Sequence, residues 1–127
     1  MIVASPRVLL VDDDPDICEF LGILLATEGM ESRAAASAEE ALSALGEAAA
    51  VLLDVAMPGV DGLELCGRMR AAGFSGPILI VSARPAADLA RRAAAAGADA
   101  FVRKPFENAE LVGTLRRALA ARESRAI

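Results

Sequence analysis

Short apolar runs at Arg7-Val8-Leu9-Leu10-Val11, Val51-Leu52-Leu53, Pro77-Ile78-Leu79-Ile80-Val81 and Ala100-Phe101-Val102 alternate with segments whose apolar residues recur at helical spacing. No other feature constrains the fold as strongly. Runs of Val, Leu and Ile uninterrupted by polar residues suit strands covered on both faces, which is the situation in a parallel sheet. A weaker strand is expected near Met30 to Ala35. Five strands alternating with five helices predict right-handed crossovers and a three-layer α/β fold, a doubly wound sheet between two helical layers.

The helical segments carry their own boundary signals. Asp14-Pro15 offers an N-cap acceptor followed by proline at the first helical position, and Ile17, Phe20 or Leu21, and Leu24 then recur on one face until Gly29. Ser37-Ala38-Glu39-Glu40 reads as a capping box opening a second helix through Ala41, Leu42 and Leu45. Pro58-Gly59-Val60-Asp61-Gly62 is a turn cluster before a third helix through Leu65 and Met69, ending near Gly73. A fourth helix runs through Leu89, Ala93 and Ala96 to Gly97, and a fifth through Leu111, Leu115, Ala118 and Leu119. At 127 residues the chain has the size of one domain, and we expect a single domain over 1–127 with its core at about 7–122, no linker, no repeat and no output domain.

Charge and composition exclude several classes. A net charge of -5 and a pI near 4.7 argue against direct binding of nucleic acid, which needs positive charge facing the phosphates. No window approaches the ~20 apolar residues of a membrane span, and no signal peptide is visible at the N-terminus. Cys18 and Cys66 match no metal or redox spacing and read as packing at the edge of the core, so a cytoplasmic protein with free thiols is expected. The absence of histidine removes the usual general base and the commonest metal ligand.

In an open α/β sheet, ligands bind beyond the carboxyl ends of the strands. The residues just past those ends are Asp12 and Asp13, Asp54, Ser82 and Lys104. Three carboxylates, a hydroxyl and an ammonium would converge on one rim. Like charges at ~4 Å repel by about 4 kcal/mol even at an effective dielectric of 20, so a cation is expected among the carboxylates. Hard oxygen donors without histidine or thiolate suit magnesium. Carboxylates can act as nucleophiles that form aspartyl-phosphates, and a cation, a lysine and a hydroxyl are the groups that disperse charge on a transferring phosphoryl.

These residues resemble the receiver domain of two-component response regulators, over essentially the whole chain from Val8 to Leu119. Val8 to Pro15 is similar to the family's first strand with its acidic pair, and Leu53-Asp54-Val55-Ala56-Met57-Pro58-Gly59-Val60-Asp61-Gly62 to its phosphoacceptor segment. Val81-Ser82-Ala83 and Gly97 to Phe106 resemble the segments bearing the family's hydroxyl residue and its lysine. The resemblance implies a flavodoxin-like strand order 2-1-3-4-5. It implies phosphorylation of Asp54 from a phosphohistidine, with Mg2+ held by Asp12, Asp13, Asp54 and the backbone carbonyl of Ala56. Ser82 and Lys104 would contact the phosphoryl group, and Ser82 and Phe101 would act as the switch. The implied partners are a sensor histidine kinase or histidine phosphotransfer protein and a downstream protein target or output domain. The domain would promote only its own phosphorylation and dephosphorylation, and would not act as an enzyme on a separate substrate.

Three positions bear on how long a phosphoryl group would last. Phe101 stands where tyrosine is frequent in the family, Ala56 offers nothing polar to an attacking water, and Arg84 could lie over the phosphoryl and shield it. Two rivals are disfavoured. A haloacid-dehalogenase-like phosphohydrolase needs a second aspartate where Ala56 stands, and a flavodoxin-like cofactor binder needs phosphate-cradling donors where three aspartates follow the first strand. A third rival, an interaction module of the same fold that is never phosphorylated, is countered by the presence of every phosphorylation residue.

Overall fold

A computed structural model describes residues 5–83 and 88–125. The expected alternation is present in full. Strands β1 (Arg7–Val11), β2 (Glu31–Ala35), β3 (Ala50–Leu53), β4 (Ile78–Ser82) and β5 (Ala100–Arg103) form one parallel sheet in the order β2-β1-β3-β4-β5. Helices α1 (Pro15–Thr27), α2 (Ala38–Ala44), α3 (Gly62–Ala71), α4 (Leu89–Ala96) and α5 (Asn108–Arg125) follow the strands in turn, with a 3₁₀ turn at Leu45–Glu47 extending α2. Among the described residues no helix is long and apolar enough to cross a membrane.

The period of two along each strand divides the core into two layers. Leu9, Val11, Val51, Leu53, Ile78 and Ile80 point to the side covered by α2, α3 and α4, where they meet Ala41, Leu65, Cys66, Met69, Leu89 and Ala93. Val8, Leu10, Ala50, Leu52, Leu79, Val81 and Val102 point to the other side and meet Leu21 and Leu25 of α1 and Leu111, Val112 and Leu115 of α5. The central strands β1, β3 and β4 are therefore apolar on both faces, which explains their uninterrupted runs. Edge strand β2 is exposed over Glu31 to Ala34, so its sequence carries little pattern.

The caps form largely as their sequences indicate. Asp14 caps α1 by accepting from the Asp16 amide at 2.9 Å, and Ser37 caps α2 by accepting from the Glu40 amide at 3.2 Å. The return bond of the α2 box differs by one residue, since the Glu40 carboxylate accepts from the Ala36 amide rather than from that of Ser37. Asp61 caps α3 through the amides of Leu63 and Glu64. In α1 the two candidate inward positions resolve to Leu21, while Phe20 and Ile23 are 48% and 61% exposed.

The segment following β3 folds back onto the start of α3 with no room to spare. A Cβ on Gly62 would fall 2.5 Å from the Cα of Val55, the residue after Asp54. That contact is with backbone, so relief requires the loop to shift. Gly62→Ala is expected to cost about 1–3 kcal/mol, in the range of other overpacked sites. Urea denaturation checks this, and an unchanged midpoint would refute the close approach.

Candidate functional site

The sheet ladder itself places the rim residues. Beyond β1, the Asp12 amide donates to the Ala35 carbonyl at 3.2 Å; beyond β3, the Asp54 amide donates to the Val11 carbonyl at 2.9 Å; beyond β5, the Lys104 amide donates to the Ser82 carbonyl at 2.9 Å. Each side chain thus projects from the last rung of a rigid element rather than from the tip of a loop. Ser82 is fully buried at the end of β4. The Lys104–Pro105 peptide bond is cis.

Asp12, Asp13 and Asp54 converge, each offering one carboxylate oxygen within 4.8 Å of the others. Asp12 is buried; one of its oxygens accepts from the Asp14 amide at 3.0 Å, and the other lies 3.4 Å from Lys104 Nζ. Asp54 is half-buried, and its Oδ1 accepts from the Ala56 amide at 2.9 Å. Asp13 is exposed, and its carboxylate has no hydrogen-bond partner among the described residues. Leu10, Leu21, Leu52 and Val81 line the floor beneath Asp12, Asp54 and Lys104. An apolar underside lowers the local dielectric and strengthens every charge interaction above it.

Three carboxylates against one ammonium leave two negative charges, which a divalent cation would neutralise. The donors are hard oxygens, so the residues present fit a magnesium ion with water completing its shell. Two features of the site were not legible in the sequence. Lys104 rests on Asp12, and the Ala56 amide, rather than only its carbonyl, engages the site through Asp54. Both depend on the direction the chain takes after a strand ends, which residue identity does not specify. Arg84 lies outside the described residues.

Phe101 is half-buried on β5 against the α2, α3 and α4 layer of the core, in register with Ile80. Cys66 is buried in the same layer, whereas Cys18 is half-buried on α1, and its thiol donates to the Asp12 carbonyl at 3.6 Å. Burial pushes both thiols above the usual range, and for Cys18 the carboxylates of Asp12 and Asp14 raise it further while Lys104 pulls it down.

A doubly wound parallel sheet thus carries acidic residues, a buried hydroxyl and a lysine on one rim. Residues 8–116 match the family model described as the response regulator receiver domain, and the chain belongs to that family. It is 39% identical over 126 residues to the transcriptional regulatory protein PrrA of Mycobacterium tuberculosis, an alignment covering 98% of this chain and 54% of PrrA. It is 37% identical over 116 residues to TcrA of the same species, covering 90% of this chain and 46% of TcrA. The chain thus spans about half the length of these curated relatives. Among solved structures, a CheY-like receiver domain protein from Methanospirillum hungatei superposes with a TM-score of 0.88 at 27% identity, covering 95% of this chain and 98% of the other. The chemotaxis protein CheY4 of Vibrio cholerae gives a TM-score of 0.82 at 30% identity, with 91% and 99% covered.

Proposed function

We propose that this receiver takes a phosphoryl group on Asp54, with Asp12 and Asp13 holding Mg2+ beside it and Ser82 and Lys104 contacting the transferred group. The observation that carries the reading is the position of Asp54. Its carboxylate stands at the end of a central strand, tied through one oxygen to the Ala56 amide and within 4.8 Å of two further carboxylates. The untied oxygen attacks phosphorus as the bond to the donor's leaving group breaks, and that group departs with the bonding electrons. Magnesium, when bound, offsets charge on the phosphoryl oxygens. Lys104 exchanges Asp12 for a phosphoryl oxygen.

The phosphodonor, as the family implies, is a phosphohistidine of a sensor kinase or a phosphotransfer protein, and this chain, which has no histidine, does not supply it. The receiving partner is a protein target or an output domain. PrrA and TcrA are named transcriptional regulatory proteins, and any DNA contact in such a protein would belong to the part beyond this acidic receiver. The setting is cytoplasmic, the domain acts only on its own phosphorylation state, and Ala56 leaves no polar side chain to orient a hydrolytic water. Incubation with acetyl phosphate and magnesium, followed by intact mass, is expected to show one added phosphate. No added mass under saturating donor would remove the phosphoacceptor reading and favour an interaction module that is never phosphorylated.

Phosphorylation adds roughly -1.5 to -2 of charge to the rim. Drawing the Ser82 hydroxyl toward that charge opens space behind it, and Phe101, on the neighbouring strand, turns inward to fill it. With no hydroxyl to satisfy, the ring is governed by packing alone, so the free protein is expected to populate the switched form at the ~0.1–10% usual for such equilibria. Beryllofluoride with magnesium is therefore expected to shift amides on α4, β5 and α5. Shifts confined to the loops around Asp12, Asp54 and Ser82, with residues 90–106 and α5 silent, would refute this output face.

A further inference from the structure

The end of the sheet opposite the acceptor is held by a cluster that the proposed chemistry does not use. Arg70, near the end of α3, donates through Nε to the Gly97 carbonyl at 2.9 Å, through Nη1 to the carbonyls of Phe74 and Gly76 at 2.9 and 2.6 Å, and through Nη2 to Asp99 at 2.7 Å. The Phe74 ring lies under its guanidinium, 5.7 Å away at the centroid. Asp99 accepts with its second oxygen from Arg122 Nε of α5 at 2.9 Å, with Arg122 Nη2 in ion-pair contact at 2.8 Å, and its first also receives the Ile78 amide at 2.9 Å. The Asp99 and Arg70 side chains are only 15% and 19% exposed, so these contacts are largely shielded from water. One planar fork thereby joins α3, the base of α4, the starts of β4 and β5, and the C-terminal part of α5.

Among the described residues, the two ends of α4 are held unequally. At its C-terminus Gly97 takes φ +107° with its carbonyl on Arg70, and a Cβ there would meet the Arg70 side chain at 2.7 Å. At its N-terminus, toward the acceptor rim, Asp88 makes no side-chain cap, whereas α1, α2 and α3 each have one. A missing cap weakens a first turn by the worth of about one hydrogen bond. Motion beginning at the rim meets a loose end first and a clamped end last.

We propose that Arg70 makes the base of α4 a fixed pivot, so that switching swings the N-terminal turn of α4 while Gly97, Asp99 and Arg122 stay in place. The origin of the movement rests on the phosphoacceptor reading, but the pivot is a property of the free protein and is tested there. In the wild type, relaxation dispersion is expected to broaden amides of residues 88–92 and to leave 97–99 sharp, with slow hydrogen exchange at the amides of Ile78, Ala98 and Asp99. Arg70→Lys keeps a charge near Asp99 and loses the fork. It is expected to speed exchange at those three amides roughly tenfold or more, as loss of a charge-assisted hydrogen bond should, and to spread the broadening to 97–99. Protection of Leu9 and Leu10 in β1 stays unchanged and shows that the fold is intact. Arg122→Gln, a milder change, should loosen the end of α5 without broadening 97–99. Equal broadening at 88–92 and 97–99 in the wild type, no broadening at 88–92, or an unaltered pattern in Arg70→Lys would each overturn the pivot. A separate addition of beryllofluoride, read at the Asp54 amide, tests the phosphoacceptor reading alone.

Discussion

Replacing Asp54 by alanine is expected to abolish phosphoryl incorporation from acetyl phosphate entirely, although two other carboxylates remain within reach. Neither is equipped to substitute. Asp12 is buried, with one oxygen engaged by the Asp14 amide and the other facing Lys104, so its attack would first have to break an ion pair in a place water scarcely reaches. Asp13 is exposed, so its attack would proceed without the low-dielectric floor and aligned donors that lower the barrier at Asp54. Asp54 alone combines a fixed backbone, an oxygen held by the Ala56 amide and an oxygen left to react. Stability is expected to change by no more than about 1 kcal/mol, because the lost hydrogen bond is offset by relief of repulsion among the carboxylates. Intact mass and urea denaturation of the same sample separate the two effects. Persistent incorporation in a folded Asp54→Ala protein would identify another acceptor.

The parts of this molecule that were legible in its sequence are those fixed by neighbours along the chain. Caps at Asp14, Ser37 and Asp61 are local, and the double-sided burial of β1, β3 and β4 writes itself as continuous apolar runs. The rim residues could be found because strand ends in a parallel sheet all face the same way. The inward face of α1 was ambiguous by one residue, since Phe20 and Leu21 both fit a 3.6-residue period from Ile17. Packing against β1 and β3 decides for Leu21 and leaves Phe20 outside. The Arg70, Asp99 and Arg122 cluster left no sequence signal, because its members lie on separate elements and charges of that kind most often sit in water. The pairing of Lys104 with Asp12 was hidden for the same reason.

That pairing shapes the second large effect, expected from Asp13→Asn. In the free protein Asp12 already faces Lys104, and one oxygen of Asp54 is held by Ala56, so Asp13 is the carboxylate of the three whose charge nothing among the described residues answers. A cation entering the site therefore meets least competition at Asp13. Asparagine keeps the shape and an oxygen donor but removes the charge. Because affinity for hard divalent cations rises with the number of charged ligands, magnesium binding is expected to weaken at least tenfold, about 1.4 kcal/mol. Phosphorylation should slow in proportion at low magnesium and recover toward the wild-type rate as magnesium is raised, which distinguishes a lost ligand from a damaged acceptor. The variant should be as stable as the wild type, or more stable by up to about 1 kcal/mol, since a repulsive charge has gone. With neither tryptophan nor tyrosine in the chain, intrinsic fluorescence is a poor reporter, and the affinity is better read by calorimetry or from the Asp54 amide during a magnesium titration. Equal magnesium affinity in wild type and Asp13→Asn would show that Asp12 and Asp54 hold the ion without it, and that Lys104 leaves Asp12 when the ion arrives.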